Sequence, residues 1–311
     1  MARWSRRGTA LLGMVAAGLM LAGCASPPAS GGHSTSVPSA AAEGMLRTPR
    51  AVTVLDAGDG AKLCLGAIAT SLPPQCGGPG VIGWDWAEWS GAYTEAAGVR
   101  WGSFTLTGSY DADAFTFRPA DVRPGNEGGA TSAGSWSGEA DFSTPCDPPE
   151  GGWQVRDAAR TTAESMQRVF ERAMTLPGYA ASWVDRSRIP SVGAEATPEQ
   201  QLAETAPHPE LTIVNVTVVG DVTAAETALT EVWGGMLCVT AAERTEADLL
   251  SVMSELMPQS GSHQVLMAAP NTRAGRIDLQ VIHDDGALQQ EMDQAYGVGT
   301  VIVRSVLQPV G

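Results

Sequence analysis

The sequence predicts an α+β protein. A small N-terminal β-barrel or sandwich, with an OB-like barrel as one form, precedes a ferredoxin-like α/β sandwich. Three observations lead there. Short β-prone runs separated by glycine turns fill the chain from about residue 50 to 119. Capped helical periodicity is found only after residue 150. A strand–helix–strand pattern then occurs twice, beginning at Ile213 and again at Ile277.

In chain order, Arg3, Arg6 and Arg7 precede an apolar run from Ala10 to Ala22 that ends in small residues. That run is short for a bilayer core of about 30 Å and reads as a secretory signal over 1–23. Residues 24–45 are mostly Ala, Ser, Pro and Gly, which cannot bury a core, so a disordered tether is expected with a reach of roughly 25 Å. The β domain is placed at 46–120. Val52-Thr-Val-Leu and Lys62-Leu-Cys-Leu flank Gly58-Asp59-Gly60, a hairpin-type turn. Val99 to Gly108 alternates with a phase change around Gly102, read as a bulge, and Ala114-Phe-Thr-Phe follows as a further strand. A Gly/Pro-rich connector is expected over 121–150.

The α+β part is placed at 151–311. A helix is expected from about Thr162 to Met174, with Thr161 and Glu164 as a capping box and Met166, Val169, Phe170, Ala173 and Met174 as its apolar stripe. A polar surface excursion follows near 186–210. Ile213 to Val219 is a strand, Thr223 and Glu226 cap a helix, and Leu237-Cys-Val is the returning strand. The same pattern recurs from Ile277, at a spacing of 64 from Ile213/Ile277 to Asp221/Asp285, with one residue of slippage by Trp233/Tyr296. Two right-handed βαβ units would interleave as one ferredoxin-like sheet with helices on one face. Between them lie a helix from Glu246, capped by Thr245 with Asp248, and a strand near His263 to Ala269 that forms a hairpin with the Arg276 strand.

Five cysteines are present in a chain with a formal charge of −15. Setting Cys24 aside, Cys64, Cys76, Cys146 and Cys238 are an even set in an exported chain, which favours disulfides over zinc. Of the three possible pairings, Cys64–Cys76 and Cys146–Cys238 are preferred. The acidic body repels nucleic acid and anionic headgroups, so no nucleic-acid partner is expected and membrane attachment falls to a lipid. Lys62 is the only lysine, a bias of high-GC genomes.

Leu21-Ala22-Gly23-Cys24 resembles the lipobox of bacterial lipoproteins. The resemblance implies cleavage before Cys24, diacylglycerol on its sulfur and anchorage on the extracytoplasmic face of the cell membrane. Further segments, CLGAIATSLPPQCGGPGVIGWDW (Cys64 to Trp86), CDPPEGGW (Cys146 to Trp153) and WGGMLCV (Trp233 to Val239), are similar to motifs of actinobacterial secreted lipoproteins. This likeness supports the division of the fold and the disulfides and transfers no catalytic residue.

The most chemical-looking cluster is Gly83-Trp84-Asp85-Trp86-Ala87-Glu88-Trp89. Its indoles could stack on sugar rings while Asp85 and Glu88 bond hydroxyls. The competing reading makes the rings cover for a small core. A glycosidase would need a second carboxylate held across a cleft, and none is tied to this one. His283-Asp284-Asp285 is read as a strand end and helix cap rather than a metal site. No catalytic set, metal or cofactor is expected. The first expectation is a non-catalytic envelope lipoprotein that binds a protein or another envelope component. A carbohydrate-binding or carbohydrate-cleaving protein using Trp84–Trp89 is the alternative, and a protease-inhibitor-like partner is a third.

Overall fold

The computed structural model describes residues 44–125, 141–193, 195–256 and 265–311. The expected signal peptide, the expected lipidation site Cys24 and the expected tether as far as residue 43 lie outside them. The protein is mixed α+β. Its N-terminal third forms β1 (Leu46–Arg47), β2 (Val52–Asp56), β3 (Ala61–Cys64), β4 (Ile68–Ala69), β5 (Gln75–Cys76), β6 (Gly80–Val81), β7 (Thr94–Ala96), β8 (Val99–Asp111) and β9 (Thr116–Pro124).

Strands β8, β2, β3, β6 and β9 pair in that order, and β9 returns to β8, closing a five-strand barrel. Every pairing in the ring is antiparallel except β6 with β9. Alternation puts Val52, Val54, Leu63, Phe104, Leu106 and Phe117 into its core. The β2–β3 turn falls at Gly58-Asp59-Gly60 as expected, and the Asp56 carboxylate accepts from the amides of Gly58 and Gly60. Cys64–Cys76 fastens the loop between β3 and β6.

Two details differ from the sequence reading. The pairing of β2 with β8 runs regularly through Gly102, and the register shift lies between Thr107 and Gly108. A β-carbon at Gly108 would sit 2.1 Å from the Arg118 carbonyl oxygen, so the close approach of β9 selects glycine there. Strand β9 also runs on to Pro124, pairing with Phe104, so its end occupies the first residues of the expected connector. Gly and Pro composition marked that boundary, but Val122 still packs against the barrel core.

The rest of the described chain is a tandem repeat. The first copy comprises α1 (Ala163–Met174), β10 (Tyr179–Asp185), an excursion carrying α2 (Pro198–Thr205), then β11 (Ile213–Val218), α3 (Val222–Thr230) and β12 (Met236–Ala241). The second comprises α4 (Glu246–Leu256), β13 (Val265–Asn271), β14 (Arg276–Val281), α5 (Ala287–Tyr296) and β15 (Val301–Ser305), before β16 (Gln308–Pro309). Each copy reads helix, antiparallel strand pair, helix, parallel strand. The expected interleaved, ferredoxin-like sheet does not form. The strands make two separate three-stranded sheets, β10-β11-β12 and β13-β14-β15. The physical reason is local: β10 and β13 each occupy the edge of the central strand where the other copy's strand would have had to pair.

The repeat register differs too. Val214, Val216 and Val218 face the first core, and Ile277, Leu279 and Val281 face the second. Equivalent strand residues are therefore 63 apart, and the same spacing relates Ala225 to Leu288, Leu229 to Met292 and Trp233 to Tyr296. A spacing of 64 would match inward with outward residues, since a one-residue slip exchanges the faces of a strand. The extra residue enters only after the helix, at Leu237/Val301.

The caps follow local competition. Thr161 spends its hydroxyl on the Asp157 carbonyl, so Thr162 caps α1 with Ser165 in place of the expected Thr161/Glu164 box. Asp221 caps α3 in place of Thr223, and Glu226 pairs with Arg156. Asp284 accepts from the Leu288 and Gln289 amides at the start of α5. Thr245 and Asp248 cap α4 as expected. Met174, expected in the stripe of α1, is exposed. Finally, β16 pairs with β1 in the barrel sheet, and Ile282, Val306 and Leu307 join the barrel core. The second repeat thus shares a core with the barrel.

Candidate functional site

The structure gathers Trp84, Trp86 and Trp89 as the sequence led one to expect, on a short 3-10 turn that Asp85 caps by accepting from the Ala87 amide. Their rings face inward. Trp84 stacks on Trp89 at 5.6 Å and meets Phe104 edge-on at 4.9 Å, and Trp89 lies 5.4 Å from Phe104. Trp86 is buried and donates its indole N–H to Asp56 at 3.1 Å. Glu88 is exposed. The indoles thus form an aromatic lid on the barrel core, with much of their faces turned to one another and to Phe104.

A second site emerges from the repeat, and the sequence reading did not find it. In each copy two helices cover one face of the sheet. The opposite faces of both sheets line a single cleft of about 1570 Å³. Thr217 on β11 and Gln280 on β14 hold equivalent repeat positions and both line it. Each is 8% exposed, and Thr217 Oγ1 and Gln280 Oε1 are buried with no protein hydrogen-bond partner. A buried polar atom without a partner costs about 1–3 kcal/mol, and native proteins carry few of them. Two at matching places in one cleft call for a functional explanation.

The segment Asp141 to Pro145 makes one wall. It is pinned by the Cys146–Cys238 disulfide, by Trp183 donating its indole N–H to the Ser143 carbonyl at 3.3 Å, and by Arg273 lying 3.8 Å over the Phe142 ring. Thr144 adds two bonds, its amide and hydroxyl both donating to the Asp185 carboxylate at 2.9 and 2.8 Å. Burial of Asp185 works to raise its pKa, but the hydrogen bonds from Ser187 and Thr144 outweigh it and hold the carboxyl below its usual range. The stabilisation this gives is fully present above the unfolded carboxyl value of about 3.9 and is lost as pH falls from there through the lowered folded value. Urea midpoints measured at neutral pH and near pH 3 should show part of their acid-side decline vanish in Asp185→Asn. An undiminished decline would mean that Asp185 does not tie the wall.

The second repeat supplies the charge. Arg276 and Arg304 approach the buried carboxylate of Asp278 at 3.0 and 3.7 Å, and the Asn271 amide donates to it at 3.0 Å. The histidines among the described residues stand outside the cleft lining: His283 Nδ1 lies 3.2 Å from the Leu307 carbonyl and His208 Nε2 lies 2.8 Å from that of Ala203. Among the described residues no group of three or more His, Cys, Asp or Glu side chains gathers as a metal site. The arrangement is that of a polar cleft. No protein-family model matches the chain, and no curated protein matches it in sequence.

Proposed function

We propose that the chain is a lipid-anchored, non-catalytic binding protein of the cell envelope, held at Cys24 on the extracytoplasmic face of the membrane and binding its ligand in the cleft between the two repeats. The observation that carries the reading is the pair of buried, unpartnered polar atoms on Thr217 and Gln280, two residues that line one cleft at matching repeat positions. Two disulfides favour an oxidising compartment. The lipobox-like Leu21-Ala22-Gly23-Cys24 supplies the anchor, in a chain where no helix among the described residues is long and apolar enough to cross a membrane. The barrel is read as OB-like: numbered along the chain, its five strands close in the order 1-2-3-5-4, with strands 3 and 5 parallel. The kinship with actinobacterial secreted lipoproteins belongs to the same proposal.

Localisation tests the anchor. The native chain should fractionate with membranes and incorporate labelled fatty acid. Cys24→Ser should remove the label and release the chain with both disulfides formed. Cytosolic chain with four reactive thiols would sink the proposal.

A further inference from the structure

We propose that the cleft takes a small, soluble, hydroxyl- or amine-bearing anion, whose carboxylate or phosphate meets Arg273, Arg276 and Arg304 of the second repeat. This inference rests on the reading of the cleft as a ligand site. It starts from an asymmetry between the copies. At the positions where the second repeat carries Arg276, Asp278 and Arg304, the first carries Ile213, Asn215 and Thr240. Fold requirements shared by the copies therefore do not explain the charges.

Four arginines and two aspartates line the cleft, a surplus of two positive charges inside a chain of −15. Arg276 and Arg304 share the single carboxylate of Asp278, so together they keep positive charge and donors to offer. Arg273 uses the face of its guanidinium on Phe142, which leaves the edge, where its N–H groups lie, for hydrogen bonding. Planar guanidinium donors match carboxylate and phosphate oxygens, and such charge-assisted bonds are the strong class.

The buried pair defines the rest of the ligand. Gln280 brings a carboxamide to the cleft, with an acceptor oxygen that has no protein donor and an NH2 donor, and Thr217 brings a hydroxyl that can donate or accept. A ligand with its own hydroxyl or amine is therefore matched to both. The acidic exterior disfavours approach to an anionic lipid surface, which points to a soluble molecule rather than a headgroup in a membrane.

The test uses the full chain carrying Cys24→Ser, followed by calorimetry and by tryptophan fluorescence, with Trp183→Phe identifying the signal that arises in the cleft. The probes are citrate, glycerol 3-phosphate, neutral maltotriose, and vesicles of phosphatidylglycerol or phosphatidylcholine. Saturable binding of citrate or glycerol 3-phosphate is expected. Arg273→Gln with Arg304→Gln should weaken it at least about tenfold, and Gln280→Leu about fivefold, with circular dichroism unchanged. Anion binding that survives the double arginine substitution overturns the inference. So does binding to phosphatidylglycerol vesicles alone, which would assign the site to a headgroup. Maltotriose binding without anion binding, weakened by Gln280→Leu, overturns the anion and leaves the cleft reading standing. Silence with every probe overturns both.

Discussion

Replacing Cys146 and Cys238 together by serine is expected to lower the unfolding free energy by about 4.5 kcal/mol, the larger of the two disulfide effects. The bridge spans 92 residues of chain. In the chain-entropy account a loop of this length contributes about 4.5 kcal/mol, against about 3 kcal/mol for a short one such as Cys64–Cys76, which spans 12. Cys238 and Cys64 are both buried among apolar residues, so a serine hydroxyl adds a similar desolvation cost to either variant and the difference between them rests on loop length. The same bridge anchors the wall of the cleft, which the substitution leaves tied by Thr144 to Asp185, by Trp183 to Ser143 and by Arg273 on Phe142. Two measurements separate the effects. Urea denaturation reads stability, and the part of the tryptophan emission change that Trp183→Phe removes reads the wall. Should the Cys64/Cys76 double serine variant prove the more destabilised, the assignment of the long bridge as the main tie would fail.

Much of the fold was legible because local and global preferences agree. The Gly58-Asp59-Gly60 turn and the Thr245/Asp248 cap each act within a few residues, and the structure keeps both. The disulfide pairing was one preference among three that the sequence left open, and the structure has both preferred bridges. Other features were hidden by long-range competition. The β13–β14 hairpin was expected, but nothing near Ile213 says that β10 will take the strand edge that an interleaved sheet requires. The 63-residue register was obscured by β-branched residues on both faces of β11, where Ile213 points away from the core that Val214 enters. The helix α2 was legible and was missed: Thr197, Pro198 and Gln200 form a capping box with proline in the first turn. The cleft could not be seen in this way. Thr217, Asp278 and Gln280 alternate with apolar neighbours, and that pattern is equally written by a strand whose outer face meets water. Only the facing of two sheets turns those polar residues into a floor.

Phe104→Ala is expected to cost about 3–5 kcal/mol and to red-shift the tryptophan emission. Phe104 is fully buried in the barrel and touches the rings of Trp84 and Trp89 within 5.4 Å, with Trp86 at 6.4 Å. Removing its ring opens a cavity beneath the lid, and the half-buried Trp84 and Trp89 then meet water. The choice between lid and platform follows from this response. A lid loses its order with the core residue beneath it, so near-ultraviolet circular dichroism should fall with the emission shift. A platform built to stack on sugars needs rings held open to solvent and should change little. Trp86→Ala refines the comparison, because it deletes the indole N–H that reaches Asp56 in β2. As a lid component it should destabilise the barrel comparably to Phe104→Ala, since a buried Trp→Ala change costs about 3–5 kcal/mol. Normal stability in both variants would return the tryptophans to the surface as a binding platform, and the case for the cleft would then have to stand beside it.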